Sequence, residues 1–343
     1  MATDSLTLDR LDRQILHALQ ISPRAPFARI ATVLAVSEQT VARRYQRMRT
    51  HGVVRVLVRP DPTHQPATTS WTLRIGCRPG TALAIADALA RRPDTAWVSI
   101  GAGGAEVTCQ ADIDDERGVR EGLLYQLPRA SNVLTFSAHQ LLHRFVGRGE
   151  VDWVARGHEL DDEQRAALVE GALLVAHPEP EYADDGVHVE PADQPLLTVL
   201  ERDGRASWAT LAEAAGWTQR QAAHRVTELV TTGAIFFHLD VAHEAIGLRS
   251  VASLWFTVAP ADLATVGARL ADHGELAFAA AVTGQTNIMA SALCPDPAAL
   301  YRYITTKVAA IDGVRTVETV PQLARVKHAR FLVDGGRLRE PGP

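Results

Sequence analysis

Apolar residues at the start of the chain recur at helical spacing. Leu8, Leu11, Ile15, Leu16 and Leu19 trace one face, and Ser22-Pro23 ends that helix. A second, short helix is predicted from Pro26 to Leu34, with Phe27, Ile30, Ala31 and Leu34 turned inward and proline well placed at its start. Ser37 suits the N-cap of a third helix, Glu38 to Arg49, and Gly52 suits the position just past its end. The period then switches to that of a strand, Val53–Val58, broken by Pro60 and Pro62. Three helices with a tight turn before the third, then a strand, predict a helix-turn-helix with a short wing.

The next stretch alternates strand and helix: Thr69–Ile75, Thr81–Arg91, Ala96–Ile100, Val107–Ala111, Glu116–Leu127 and Val133–Leu142. That βαββαβ order folds as an antiparallel sheet with both helices on one face. The other face stays apolar and calls for a partner, so pairing with a second such module is expected.

The chain contains that second module. At an offset of 181 residues, DRQILHALQISPRAPFARIATVLAVSEQTVARRYQRMRTHGVV from Asp12 lies over DQPLLTVLERDGRASWATLAEAAGWTQRQAAHRVTELVTTGAI from Asp193. Identities include Asp12/Asp193, Leu16/Leu197, Leu19/Leu200, Arg24/Arg205, Ala31/Ala212, Arg44/Arg225 and Gly52/Gly233. The same register, without a gap, pairs Gly103 with Gly284, Asp115 with Asp296 and Val133 with Val314. The second copy's sheet region reads as Val251–Val258, Ala261–Asp272, Glu275–Val282, Asn287–Leu293, Pro297–Ala310 and Val314–Val326. The fold class is therefore α+β: a tandem of winged helix-turn-helix and ferredoxin-like βαββαβ domains. Expected boundaries are 1–60 and 66–146 for the first copy, and 191–247 and 248–330 for the second. The intervening 147–190 is an acidic, proline-containing connector with one docked helix, Asp161 to Val175.

Composition agrees with several folded domains. At 343 residues, 46% hydrophobic and 22% charged, the chain exceeds the roughly 150 residues of one domain and is too balanced for disorder. No apolar run reaches the ~20 residues of a membrane span, and MATDSLTLDR lacks the core of a secretory signal. Cys77, Cys109 and Cys294 form no close pair, so neither a disulfide framework nor a cysteine zinc site is expected, and the location expected is cytoplasmic. The net charge of −5 speaks against nucleic acid only until it is divided. Residues 1–60 hold ten arginines against four carboxylates, a net of +6, whereas 191–247 hold four against seven, a net of −3.

In a helix-turn-helix the third helix enters the major groove with its early residues on base edges. Those residues here are Ser37, Gln39, Thr40, Arg43, Arg44 and Arg47, with Glu38 and Arg49 beside them. The second copy offers Thr218, Arg220, Gln221, His224 and Arg225, with Gln219 among them. Gln and Arg match base edges, while Arg and Thr also serve phosphates. Arg44 and Arg225 have a second reading, pairing with nearby carboxylates to orient the helix. A loop between central strands of the second sheet, Thr283-Gly284-Gln285-Thr286-Asn287, is either a plain polar hairpin or a set of hydrogen-bonding groups for an α-amino or α-carboxylate ligand. Gly101–Gly104 is no phosphate cradle, because its spacing is wrong and a strand follows it. His139 and His143 sit four apart on a strand, where that spacing does not converge on a metal. No metal site, catalytic set or cofactor is expected.

LDRLDRQILHALQ, the R-x-x-F-A-x-I-A of Arg24–Ala31, SEQTVARR and the GVV after the third helix resemble the DNA-binding domain of the Lrp/AsnC (leucine-responsive, feast/famine) regulators. AVTGQTNIMASA, GVRTVETVPQL and Lys327 resemble that family's ACT-like regulatory domain. The resemblance implies a sequence-specific transcriptional regulator that binds double-stranded DNA. It also implies an amino acid or related metabolite as effector at Thr283–Asn287, and homo-oligomers, dimers or larger. Two departures stand out. Family members usually carry one unit per chain, and the first copy has IGAGGAEVTCQ in place of the Thr-Gly loop and Val146 in place of the terminal lysine. Sirohaem decarboxylases resemble the same fold and can be tandem, but carry His-Asn-Tyr-x-Arg and Tyr-Asn-x-Trp-Phe stretches around the central strands. AWVSIGAGGAEVTC and AFAAAVTGQTNIMA contain neither His nor Tyr. That enzyme, or a ligand sensor without DNA binding, is the alternative.

Overall fold

The computed structural model describes residues 6–61, 68–114, 122–147, 159–170, 188–329, 331–334 and 337–339. They form two compact units, and each unit takes one part from each copy. Residues up to 61 with 159–246 make the first, and 68–147 with 247–339 the second.

The first unit contains both helix-turn-helix copies. Helices α1 (Arg10–Ile21), α2 (Phe27–Val33) and α3 (Glu38–Thr50) make one, and α7 (Gln194–Leu200), α8 (Trp208–Ala215) and α9 (Gln219–Thr231) the other. Caps fix the helix starts. Asp9 and Asp12 exchange hydrogen bonds with each other's backbone N–H at the start of α1. The Ser37 hydroxyl accepts from Thr40 N, and Thr218 and Gln221 form a capping box on α9. Gly52 and Gly233 adopt φ of 67° and 75° just past the ends of α3 and α9, the left-handed conformation that ends a helix most cheaply at glycine. Ile15, Leu16, Leu19, Ile30, Val41 and Met48 are buried in the first copy, as the helical spacing predicts.

The wing is built differently from the expectation. Strand β1 (Val54–Pro60) pairs antiparallel with β6 (Ile235–Val241), its counterpart in the other copy, and Leu57 lies opposite its own equivalent, His238. Among the described residues, each copy supplies a single strand with no hairpin partner beside it in sequence. The two strands therefore satisfy each other's backbone groups across the pseudo-twofold axis. Further ties join the copies. Arg24 donates to the carbonyls of Gly204 and Ala206 and lies 4.1 Å over the Trp208 ring. Arg205 donates to the carbonyls of Pro23 and Ala25 at 2.6 and 2.9 Å and lies 4.4 Å over the Phe27 ring. Gly204 N donates to Val56 O at 2.7 Å, and Arg49 pairs with Asp203 at 2.9 Å.

The connector helix α6 (Asp162–Val169) docks on α1 and α2 of the first copy. Leu168 is fully buried, Arg29 donates to Ala167 O, and Gln164 donates to Val33 O. The expected helix ran on to Val175, and 171–175 lie outside the described residues.

The second unit joins both βαββαβ modules. Its strands are β2 (Thr68–Cys77), β3 (Thr95–Gly101), β4 (Glu106–Asp114) and β5 (Val133–Val146) from the first copy, and β7 (Ser250–Val258), β8 (Leu276–Val282), β9 (Ile288–Cys294) and β10 (Val314–Arg325) from the second. Each sheet has the ferredoxin-like order, β3-β4-β2-β5 and β8-β9-β7-β10, and the edges join as β5–β8 and β10–β3 to close an eight-stranded sheet. The modules thus meet through strand edges as well as faces, which removes the open edges that invite aggregation. Helices α4 (Ala82–Ala90) and α10 (Leu263–Ala271) match the expected spans, whereas the helix expected over Glu116–Leu127 begins only at α5 (Leu123–Gln126), after an extended Gly122, with 115–121 outside the described residues. The helix expected over Pro297–Ala310 is α-helical only as α11 (Pro297–Arg302) and widens to a π turn over Tyr303–Lys307. Leu73, Ile75, Ala86, Leu89 and Val98 form the helix-side core of the first module. Alternation turns Arg74 and Trp255 to the opposite face, where Trp255 packs with Val282, Met289 and Val320.

Candidate nucleic-acid interface

The face of α3 divides into two sets of side chains. Glu38, Gln39 and Arg43 are exposed beyond the N-cap, and Thr40 is half-buried with its hydroxyl 2.8 Å from that of Ser37. Arg44 and Arg47 point back to α1. Arg44 Nη1 lies 2.6 Å from Asp9 and 2.9 Å from the fully buried Asp12 carboxylate, which also accepts from Arg47. The hydrogen bonds to Asp9 and Asp12 raise the Arg44 pKa above its usual value, so this guanidinium stays charged and in place.

The same anchor recurs in α9. Arg225 donates to both oxygens of Asp193 at 2.9 and 2.8 Å and to Glu228 at 2.8 Å. Glu228 occupies the position equivalent to Arg47. The first copy thus sets two arginines against Asp9 and Asp12, while the second sets one arginine against Asp193 and Glu228. Gln219, Arg220, Gln221 and His224 are exposed, although the Gln221 Oε1 is already committed to Thr218 as a cap. Of the arginines that sequence reasoning set on the DNA side, Arg44, Arg47 and Arg225 hold the reading helices on their scaffold. Arg43 and Arg220 extend outward.

The Thr283–Asn287 loop is tied in at both ends. Thr283 exchanges backbone and side-chain hydrogen bonds with Gln140, and Asn287 brackets the Val258 peptide with Oδ1 and Nδ2. His139 Nδ1 donates to Thr283 O at 2.7 Å, and its ring lies 5.0 Å from that of Trp255. Gly284, at φ 118°, leaves room for this imidazole, since a Cβ there would stand 2.7 Å from Nδ1. Gly284 and Gln285 remain exposed, and Thr286 is half-buried.

Comparison with known proteins identifies two domains in the chain. The AsnC-type helix-turn-helix domain matches residues 8–49, and the Lrp/AsnC ligand binding domain matches residues 251–332. An HTH-type transcriptional regulator of Pyrococcus horikoshii is 30% identical over 135 residues, which span 39% of this chain and 85% of the relative. The chain belongs to the Lrp/AsnC family. A second HTH-type transcriptional regulator, from Pyrococcus furiosus, is 26% identical over 129 residues, 37% of this chain and 86% of its own length. Among solved structures, the siroheme decarboxylase NirDL shares the fold with a TM-score of 0.61 over 93% of both chains, at 9% identity. The two Lrp/AsnC domains matched are the basic first reader and the second sheet module, which carries the Thr-Gly loop.

Sequence reasoning passed over Arg24, Arg205, Asp12, Asp193 and His139 as functional positions. The signal for the first four lay in the repeat, because each is one member of an identical pair. His139 offered no such signal, since its equivalent is Val320.

Proposed function

We propose that this transcriptional regulator binds double-stranded DNA chiefly through the first copy, with Gln39, Thr40 and Arg43 on the major groove and Ser37 holding the helix start. The second copy adds weaker contacts from Arg220, His224 and Thr218. The exposed Arg43, on a helix whose other arginines are held by Asp9, Asp12 and Asp203, carries this reading. The net charges of +6 and −3 point the same way, because phosphate neutralisation supplies most non-specific affinity. An amino acid or related metabolite would reach the sheet unit at Gly284, Gln285 and Thr286, the part of the loop not consumed by its own bracing. Fluorescence anisotropy on the DNA upstream of the protein's own coding region tests the reading across a salt series. Binding with a negative log–log salt slope is expected, and no binding at low salt refutes it.

The likeness to NirDL favours sirohaem chemistry as the second reading. Strands β3, β4, β8 and β9 carry no His or Tyr between them, which weighs toward regulation. A decarboxylated product after incubation with sirohaem would reverse that order.

A further inference from the structure

We infer that one chain reads a complete operator by itself and that the two half-sites of this operator have different sequences. The inference rests on the DNA-binding reading above. Single-unit relatives can place two reading helices on DNA only by bringing two chains together, and the two helices are then identical. Here the seven-residue β1–β6 ladder, the Arg24 and Arg205 exchange and the Arg49–Asp203 pair hold α3 and α9 in one compact unit of one chain. The pair is thus preassembled, and its occupancy of DNA does not depend on a dimerisation equilibrium.

The two helices are alike where they are anchored and different where they are exposed. Arg44 and Arg225 repeat, as do their partners Asp12 and Asp193. Ala42 and Ala223 also repeat, so backbone approach is the same on both sides. The four positions between cap and anchor that are exposed in either helix all differ: Glu38 against Gln219, Gln39 against Arg220, Thr40 against Gln221, and Arg43 against His224. Their chemistry selects different base edges. Glutamine matches the N6/N7 edge of adenine, arginine the O6/N7 edge of guanine, and glutamate accepts from the N4 amino group of cytosine. Exchanging Gln39 for arginine at the equivalent place moves the preferred partner from adenine to guanine. The half-site under α9 therefore cannot be the inverted copy of that under α3.

Selection from randomised duplexes, followed by light scattering of the selected complex, tests this with the full chain. The wild type is expected to enrich two unequal half-sites and to bind with one chain per duplex. The quadruple variant Glu38→Gln, Gln39→Arg, Thr40→Gln, Arg43→His makes these positions of both helices equal without touching a buried group. It should select an inverted repeat, and should prefer that repeat over the wild-type site by about tenfold per exchanged base pair. A symmetric consensus from the wild type, or two chains per duplex, overturns the inference while leaving DNA binding intact. No enrichment of any sequence overturns the DNA-binding reading itself.

Discussion

Arg24 and Arg205 are equivalent residues that embrace each other's copy. Each donates two hydrogen bonds to carbonyls flanking its counterpart and stacks on the aromatic residue three places beyond it, Trp208 or Phe27. Burial pushes the Arg24 pKa down to about 10, with the Arg205 charge adding to the shift, and burial lowers Arg205 likewise. Both stay charged at neutral pH, held by carbonyl oxygens and ring faces in place of a paired carboxylate.

Replacing either arginine removes two charge-assisted bonds and a stacking contact. Arg24→Ala or Arg205→Ala should cost about 2–4 kcal/mol in urea unfolding. The two losses should add up to less than their sum in the double variant, because both substitutions open the same joint. Full additivity would show that the two arginines act as separate surface contacts.

The division of α3 into reading and anchoring residues gives opposite outcomes at adjacent positions. Arg43→Ala should leave the unfolding midpoint unchanged, weaken DNA binding and reduce the log–log salt slope by about one. Arg44→Ala should lower stability by about 1–3 kcal/mol, since the buried Asp12 carboxylate then keeps only one of its two guanidinium partners, Arg47. Thermal unfolding and anisotropy on the same preparations separate the two effects, and equal loss of stability from both would contradict the assignment.

Much of this was legible in the sequence. The 3.6-residue and two-residue periods placed nearly every element, and the constant offset revealed the tandem. Capping chemistry located Ser37, whereas Thr218 reads in the sequence only as a DNA contact and is the cap of α9. The β1–β6 ribbon was not legible, because strand period says nothing about which distant strand supplies the partner. Nor were the roles of Arg44, Arg47 and Arg225, since a guanidinium on a reading helix suits a phosphate and a carboxylate equally. The bracing of Thr283 and Asn287 by Gln140 and Val258 needed the closed sheet to be seen.

Gly284 is the rigid point of the proposed effector loop. Gly284→Ala should cost about 1–3 kcal/mol, because the left-handed φ and the nearby His139 ring both oppose a Cβ. Gln285→Ala lies outside that bracing and should retain wild-type stability while reducing any thermal shift produced by amino acids. Calorimetry across an amino-acid panel checks it, and an unaltered shift in Gln285→Ala places the ligand elsewhere.

His273 makes stability depend on pH. Burial lowers its pKa, with the Lys307 charge adding to the shift, and its Nδ1 lies within hydrogen-bonding distance of the Tyr303 hydroxyl, at 3.2 Å. The unfolded chain therefore binds a proton that the folded chain resists. The contribution is present above the ordinary histidine value of about 6.5 and is lost as pH falls below it toward the lowered folded value. His273→Asn should flatten the fall in melting temperature over that interval. A fall of the same steepness in the variant would assign it to other groups.

Position 74 is equivalent to position 255, and in this chain the two meet: the Arg74 guanidinium lies 4.8 Å over the Trp255 ring while pairing with Glu106 and Glu318. In an assembly of identical units the same residue would face its own image there. Two first-copy modules brought together would set arginine against arginine, with Ser137 where Glu318 supplies the second carboxylate. Two second-copy modules would set tryptophan against tryptophan and leave Glu318 without its cation. Either like-with-like mating loses the stacked, charge-compensated centre, so the joint works as a lock that recognises only the opposite half. Where identical units would mate self-complementary surfaces, the fused chain sets two unlike ones against each other.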